Sequence, residues 1–352
     1  MPPRRGTRLI DSPRGDCFVT LLNEPVARPS HAPEPMSHPA RMPAPLPAPT
    51  PTVMPGPLPP ARTLPRKDPT IPTAWAVHPC AEYAKSRPGP WFQFRVPYGF
   101  EWNCATLAVP NLPRALEGLR IVHVSDLHLR RFWKEPYDRL IALIDRRKPD
   151  LLLCTGDFIE EKHDYRPALP MVLRLVKGFQ ARLGCFGILG NHDRYWMGPK
   201  LRGTNVTLLD GARTEIVVGG AGNGNASATI ELIGLPGVDR DDLTEEFVSS
   251  IPRRRDGTLR VVLSHFPDHL RRTQYQLQPD MFLAGHTHGG QVCLPGGWPL
   301  IRHDTMPRRL CSGIHWVDRT WLVVNRGFGF TNVPVRLFCP AEVLELKLTR
   351  MG

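Results

Sequence analysis

Five short segments of the sequence carry side chains that bind metal ions in proteins. They combine aspartate, histidine and asparagine with neighbouring glycine or serine, and in chain order they are Ser125-Asp126-Leu127-His128, Gly156-Asp157, Gly190-Asn191-His192-Asp193, Ser264-His265 and Gly285-His286-Thr287-His288. Oxygen and nitrogen donors without a thiolate favour Mn²⁺, Fe or Zn²⁺ over copper or iron–sulfur chemistry. Two adjacent ions need a shared ligand, and a carboxylate can offer one oxygen to each. Asp157 is the candidate for that shared position.

The first three segments each follow an apolar run that predicts a β-strand. Leu119–Val124 precedes the first segment, Leu151–Cys154 the second and Phe186–Leu189 the third. Between these strands, Tyr137–Arg147 and Leu169–Gln180 have apolar residues at helical spacing. Alternating strands and helices predict a parallel sheet with right-handed crossovers. The carboxyl ends of such strands meet at one edge, where open α/β sheets place their chemistry.

Further strands carry the last histidines and complete the predicted fold. These strands are predicted at Thr214–Val218, Thr229–Leu235, Arg260–Leu263, Met281–Leu283, 315–325 and 342–348, with a hairpin tip at 219–227. In the D-x-H and H-x-H segments, alternation along an extended chain would place both side chains on one face. Gly156, Gly190 and Gly285 are expected to allow sharp turns before the ligands.

The first third of the chain has a different composition. The chain has 352 residues and 40 prolines, and residues 1–69 are rich in proline. Such a segment cannot bury enough apolar surface to offset the entropy of ordering, so we predict disorder. Residues 70–118 contain many aromatics and are predicted either to pack on the core or to form an edge strand that leads into it. Residues 119–352, which contain all five segments, are predicted to form the domain that carries the site.

Charge and cysteine usage bear on the partners and the compartment. The formal net charge is +12, with scattered Lys and Arg, and this charge attracts anions such as phosphorylated substrates. We find no basic–aromatic stripe of the kind that binds nucleic acid. Eight cysteines without CxxC spacing favour a reducing cytoplasm, and no run approaches the roughly 18 apolar residues of a membrane span. We expect a cytoplasmic protein; peripheral contact with the inner face of the membrane and the oligomeric state stay open.

The ordered set of segments resembles the motifs of the calcineurin-like metallophosphoesterase superfamily. The extended last motif, Gly285-His286-Thr287-His288-Gly289-Gly290-Gln291, resembles the branch of YkuE- and YaeI-like bacterial phosphodiesterases. Asn325-Arg326-Gly327-Phe328-Gly329 and Pro334-Val335-Arg336 also fit that branch, and the resemblance covers roughly residues 112–350. It implies an α/β fold, a four-layer α/β/β/α sandwich of two mixed sheets, and makes 119–352 a metallophosphoesterase domain.

The same resemblance implies roles for individual residues. One divalent ion (Mn, Fe or Zn) would be held by Asp126, His128, Asp157 and His288, and a second by Asp157, Asn191, His265 and His286. His192 would support the leaving group as a general acid, and the Glu160 carboxylate would orient His192. The implied reaction is attack by a metal-bridging hydroxide on a phosphoester.

One departure from related protein phosphatases bears on the substrate. Those enzymes have a phosphate-clamping arginine where this chain has Glu161, and an acid there would repel a dianionic phosphomonoester. A phosphodiester or pyrophosphate is therefore favoured. Arg130, Arg194 and Arg326 are candidates to hold the phosphate instead, with a surface role for each as the alternative.

Three other functions are weighed. The YkuE-like branch also resembles enzymes that cleave UDP-diacylglucosamine, so a glycolipid pyrophosphatase at the membrane surface is an alternative, and the aromatics after two motifs, Phe132-Trp133 and Tyr195-Trp196, would suit an acyl chain or nucleobase. A non-catalytic binding scaffold is another, but degenerate members of the fold lose ligands and this chain keeps all seven. A nuclease is the third. The expected partner is a phosphorylated small molecule or lipid.

Overall fold

The computed structural model describes strands at 6–9, 17–21 and 78–79, and then residues 90–161, 163–219, 227–237, 241–302 and 304–351. Side chains are described in these ranges except in the three N-terminal strands and at residues 194–196 and 241–243. Most of the region 1–69 therefore lies outside the described residues, and its predicted disorder stays a prediction.

Nineteen strands and five α-helices make up the described part of the chain. The strands are β1 Gly6–Leu9, β2 Cys17–Leu21, β3 His78–Pro79, β4 Phe92–Phe94, β5 Glu101–Val109, β6 Arg120–Val124, β7 Leu151–Thr155, β8 Cys185–Ile188, β9 Val206–Leu208, β10 Ala212–Val218, β11 Ala228–Gly234, β12 Thr258–Leu263, β13 Met281–Ala284, β14 Cys293–Leu294, β15 Trp298–Pro299, β16 Gly313–Val317, β17 Thr320–Val324, β18 Val335–Leu337 and β19 Glu342–Arg350. The helices are α1 Glu135–Arg147, α2 Leu169–Lys177, α3 Arg194–Leu201, α4 Asp241–Ser250 and α5 His269–Leu277.

Two large sheets organise these strands. The first has the order β3-β5-β19-β6-β7-β8-β9, and the second has the order β1-β2-β10-β11-β12-β13-β17-β16. In the first sheet β6 to β9 are parallel, whereas β19 runs antiparallel to β6 and parallel to β5. In the second sheet β11, β12, β13 and β17 are parallel, with antiparallel β10 and β16 beside them. Both sheets are therefore mixed, as predicted.

Three apolar clusters define four layers. Leu151 and Leu153 of β7 face a core shared with the second sheet, while Leu152 and Cys154 face the cluster that holds α1 and α2. The other face of the second sheet packs on α4 and α5. Strands buried on both faces read as continuous apolar runs, which is why β7 is Leu-Leu-Leu-Cys-Thr. The α/β/β/α sandwich is confirmed.

Two parts of the fold differ from the expectation. Residues 315–325 were predicted as one strand, but they contain the hairpin of β16 and β17, which turns at Asp318 (φ 42°) and Arg319 (φ 72°). Two left-handed residues in succession are typical of a tight hairpin turn. In addition, an edge strand was one of the two expectations for residues 70–118, but β5 lies inside the first sheet, between β3 and β19.

Cys104 in β5 is disulfide-bonded. The cysteine spacing predicted a reducing compartment, where structural disulfides are rare. This disulfide weighs against that prediction. Among the helices that the structure describes, none has the length and apolar character needed to cross a membrane.

Candidate metal centre

The loops after β6 and β7 run side by side beyond the ends of their strands. Asp126 N donates to Gly156 O at 3.0 Å, and His128 N donates to Asp157 O at 3.0 Å. These bonds continue the parallel pairing of the two strands past the edge of the sheet. They place the first predicted segment directly against the second.

The backbone at the predicted ligands is left-handed. Five of the seven have a positive φ: Asp126 (49°), His128 (45°), Asp157 (55°), His286 (68°) and His288 (51°). The extended alternation expected for D-x-H and H-x-H is therefore wrong, because these residues lie in tight loops after their strands. Such conformations cost about 1–3 kcal/mol each for residues other than glycine and concentrate at functional sites.

The glycines before the ligands act mainly through close packing. Only Gly156 has a positive φ, 89°. A Cβ on Gly190 would lie 2.5 Å from Asp157 N, and a Cβ on Gly285 would lie 3.0 Å from Ser125 Cβ and overlap Ser125 Oγ. At Gly190 and Gly285 the close packing therefore leaves no room for a side chain. The predicted role in turning the backbone holds only at Gly156.

One group of donor atoms comes from three loops. His128 Nε2 and His288 Nε2 lie 3.0 Å apart. Asp126 Oδ1 lies 3.4 Å from His288 Nε2, and Asp157 Oδ2 lies 3.5 Å from His128 Nε2. All four side chains are buried.

A second group lies on the other side of Asp157. Asn191 Oδ1 is 2.9 Å from His265 Nε2 and 3.1 Å from His286 Nδ1. Asp157 Oδ2 is 3.3 Å from His265 Nε2. The same carboxylate oxygen of Asp157 thus faces both groups, and the structure brings all seven predicted ligands together.

The donor set fits two divalent ions. Donors held 2.0–2.2 Å from one ion at right angles lie about 3 Å apart, which is the spacing within each group. Two of the histidine rings are also held in the required form by contacts at their far-side nitrogen. His265 Nδ1 donates to Thr155 O at 2.8 Å, and His128 Nδ1 lies 2.7 Å from the Glu160 carboxylate. A proton on Nδ1 leaves the Nε2 lone pair free for a metal.

At Asp157 and His265 the neighbouring charges favour the ionised form despite burial. Burial raises the pKa of Asp157, but the neighbouring His265 and His128 outweigh it and hold the pKa well below its usual value. Burial likewise lowers the pKa of His265, and the Asp157 carboxylate outweighs it and raises the pKa to about 9. For Asp126, burial dominates and raises the pKa.

His192 lies beside the donor groups with its ring held by the main chain. Its Nδ1 is 2.6 Å from the backbone carbonyl of Glu160, and its Nε2 is 3.4 Å from Thr331 Oγ1. The Glu160 carboxylate lies farther from His192 Nδ1, at 3.8 Å, than from His128. Glu160 was predicted to orient His192 through its carboxylate; that carboxylate instead holds His128, a predicted ligand.

A cavity of about 110 Å³ opens over the centre. It is lined by Asp157, Asn191, His192, His286, His288, Thr331 and Asn332. Gln291, three residues after His288, donates to Thr331 O at 3.0 Å and to Val333 O at 2.7 Å. The glutamine that ends the extended motif therefore fixes the loop that forms one wall of the cavity.

Comparison with known proteins agrees with this centre. The calcineurin-like phosphoesterase model matches residues 119–290, which contain every donor described above. Residues 119–290 form a calcineurin-like phosphoesterase domain. The protein is a metal-dependent phosphoesterase.

Several calcineurin-like phosphoesterases are similar over most of the chain. The uncharacterized metallophosphoesterase YkuE of Bacillus subtilis is 29% identical over 271 residues, which cover 72% of this chain and 86% of that protein. YkoQ of the same organism, also an uncharacterized metallophosphoesterase, is 25% identical over 65% of this chain and 83% of its own length. A transmembrane protein with metallophosphoesterase domain from Danio rerio is 26% identical over 69% of this chain and 56% of its own length. These similarities place the chain in the YkuE-like branch.

The three arginines predicted to contact phosphate lie in different places. Arg130 is half exposed at the rim, with its guanidinium 3.2 Å from the Glu160 carboxylate. Arg326 does not line the cavity; its guanidinium lies 2.6 Å from Glu342 and 2.8 Å from Glu101. Arg194 begins α3, but its side chain lies outside the described residues. Among these candidates, only Arg130 is described next to the centre.

Asp193 contributes to the centre and was assigned no role from the sequence. Its buried carboxylate accepts hydrogen bonds from Gly190 N at 2.9 Å and from Ile159 N at 3.1 Å. Burial raises the pKa of Asp193 to about 7. The carboxylate ties the loop after β8 to the loop after β7, so it positions Asn191 and His192. The signal was its place three residues after the loop glycine, where it can bond back to Gly190 N.

Proposed function

We propose that the protein hydrolyses a phosphodiester or pyrophosphate bond with the help of two divalent ions. The observation that carries the proposal is the position of Asp157, whose Oδ2 lies 3.5 Å from His128 Nε2 and 3.3 Å from His265 Nε2. One carboxylate between two sets of donors is the arrangement that a pair of adjacent ions requires.

The residues of each donor group would hold one ion. The first ion would take Asp126, His128, Asp157 and His288, and the second would take Asp157, Asn191, His265 and His286. When bound, such ions lower the pKa of water and neutralise charge on the phosphoryl oxygens. Nitrogen and oxygen donors accommodate Mn, Fe or Zn alike, so the metals stay a prediction.

His192 would move the proton for the leaving group. Its Nδ1 faces the carbonyl of Glu160, which can only accept, so Nδ1 carries a hydrogen in every protonation state. Proton exchange is therefore confined to Nε2, which faces the cavity beside Thr331. A leaving oxygen in the cavity would take its proton from this atom.

The charge around the cavity supports a diester over a monoester. None of the described residues that line the cavity is an arginine or a lysine. Arg130 is already paired with Glu160, and Glu161, which follows Glu160 in the chain, is exposed. A dianionic phosphomonoester would thus meet little compensating charge from the chain, whereas a diester or a pyrophosphate carries less charge on each phosphorus.

A lipid-linked pyrophosphate is a second candidate. It is supported by exposed apolar side chains beside the cavity and by relatives whose names describe a transmembrane protein. The scaffold alternative is disfavoured because all seven donors and His192 are present and converge. A cytoplasmic location stays a prediction, against which the disulfide at Cys104 weighs.

Hydrolysis of bis(p-nitrophenyl) phosphate and of p-nitrophenyl phosphate, each with Mn²⁺, tests the proposal. We expect turnover of the diester to exceed that of the monoester at least tenfold, and both to stop when a chelator removes the ion. A clear preference for the monoester would refute the assigned substrate class. No hydrolysis of either substrate by protein with bound ions would favour the non-catalytic binding scaffold.

A further inference from the structure

Exposed apolar side chains are concentrated in three segments near the cavity. Eleven large apolar residues are exposed among those described, and nine of them fall in residues 90–100, 291–302 and 328–341. These nine are Trp91, Phe92, Phe94, Tyr98, Leu294, Trp298, Leu300, Ile301 and Val333. We call them the apolar rim. Scattered exposure of single apolar residues is normal, but a concentration of this kind marks an interaction site.

The three segments form one continuous surface. Strand β4 pairs with β18, so Phe92 lies opposite Leu337 and Phe94 opposite Val335. Leu337 in turn forms a bridge to Val292, whose carbonyl accepts a hydrogen bond from Leu300 N at 3.0 Å. Direct hydrogen bonds therefore hold together the backbones that carry the rim.

Charge in these segments has a single sign. Residues 90–100, 291–302 and 328–341 contain no aspartate or glutamate, although the chain has 33 acids in 352 residues. The exposed arginines Arg95 and Arg302 lie within the segments, and Arg308 and Arg309 follow them. Arg95 also lies over the ring of Phe94, 5.0 Å from its centroid. Of the acids that border the segments, Glu101 and Glu342 are paired with Arg326, and Asp304 is half-buried. Apolar side chains beside exposed arginines complement a surface with negative charge above a hydrocarbon interior.

The rim shares a wall with the cavity. Thr331 and Asn332 line the cavity, and the next residue, Val333, is 52% exposed in the rim. Gln291, at the start of the second segment, binds both sides of this loop through Thr331 O and Val333 O. A partner that covers the rim would therefore lie at the entrance of the metal centre.

We infer that the apolar rim docks onto the interface of an anionic lipid bilayer and presents the cavity to substrates in the membrane surface. Tryptophan and arginine suit this position because their apolar parts enter the headgroup region while their polar parts stay hydrated. Arginines near an anionic leaflet strengthen the attachment through their positive charge. The docking stands on the rim alone; its consequence for the substrate rests on the proposed function.

Vesicle flotation tests the docking with matched variants. The full chain is mixed with vesicles of phosphatidylcholine alone or with added phosphatidylglycerol. The double variant Trp298→Ser/Ile301→Ser removes two rim side chains that are about half exposed, and Tyr275→Ser removes an aromatic on α5 that is 72% exposed and lies outside the rim. We expect the wild type and Tyr275→Ser to float with the anionic vesicles, and the double variant to bind at least tenfold more weakly.

Hydrolysis of a water-soluble diester separates this test from that of the proposed function. All three proteins should have the same soluble turnover, because Trp298, Ile301 and Tyr275 do not line the cavity. Equal turnover also shows that the double variant folds. Wild type that stays wholly soluble with anionic vesicles would overturn the docking whatever its activity. Equal flotation of the double variant would also overturn it. A loss of self-association in the double variant without vesicle binding by the wild type would assign the rim to a second copy instead.

Discussion

The carboxylate of Glu160 lies 2.7 Å from His128 Nδ1, so an acid from the loop after β7 holds a predicted ligand from the loop after β6. This contact fixes the ring and increases the basicity of Nε2 toward a metal. Glu160→Gln should therefore weaken binding of the first ion by about 10–100-fold. Glu161→Gln is the matched control, because Glu161 is adjacent and exposed. Titration with Mn²⁺ measures the metal affinity of both variants. Equal affinities would contradict the assigned contact between Glu160 and His128.

His192 should matter for turnover and not for metal content. Its Nε2 faces the cavity, and its Nδ1 is occupied by the Glu160 carbonyl. His192→Ala should keep both ions and lose about 10²–10⁴-fold in turnover, the range of general acid–base catalysis. Metal analysis of the purified variant beside its rate constant checks this. Loss of an ion equal to that in a ligand variant would make His192 a ligand.

Metal affinity should rise with pH. Burial lowers the pKa of His265, but the Asp157 carboxylate outweighs it and raises the pKa to about 9 in the metal-free protein. A metal needs the neutral ring, so below this pKa binding must displace a proton. The apparent affinity should therefore fall as the pH falls from about 9 to 7, by up to about tenfold per pH unit for one proton. Calorimetry in buffers of different ionisation enthalpy measures the protons released, and zero release at pH 7 would contradict the raised pKa.

A methyl group at Gly285 should disrupt the centre. The added Cβ would overlap Ser125 Oγ and Asp126 Oδ2. Gly285→Ala should cost about 1–3 kcal/mol of stability and displace Asp126. Gly198→Ala is the control, because it lies within α3 with its nearest contact at 3.6 Å. There alanine should be neutral or stabilise the helix by about 1 kcal/mol. Urea unfolding compares the two, and equal midpoints would contradict the close approach at Gly285.

Local signals in the sequence predicted the strands before the first three segments and the ligand loops after them, whereas the four layers were implied by the family resemblance. Apolar runs predicted the bounds of β6, β7 and β8 to within about two residues. Asp126, Asp157 and Asn191 follow the ends of these strands and therefore lie close together. Helices α3, α4 and α5 were not predicted. The position of β19 between β5 and β6 was not predicted either, since strand order depends on contacts between residues far apart in the chain.

Side-chain partners within the site were harder to predict than its members. Glu160 lies near two histidines, and spacing alone does not show that its carboxylate reaches His128 while its carbonyl reaches His192. Arg326 was a plausible phosphate contact until the structure placed Glu101 and Glu342 beside it, and both come from strands more than ten residues away. The apolar rim joins three segments whose proximity no linear pattern shows.

The number of metal ions bound per chain tests the shared role of Asp157 most directly. Wild type, Asp126→Ala and Asp157→Ala would be loaded with Mn²⁺, freed of excess ion and measured by elemental analysis, with hydrolysis of bis(p-nitrophenyl) phosphate recorded on the same samples. Two ions in the wild type, one in Asp126→Ala and none in Asp157→Ala, with diester turnover lost in both variants, is the expected result. Retention of one ion by Asp157→Ala would contradict a carboxylate shared between two ions.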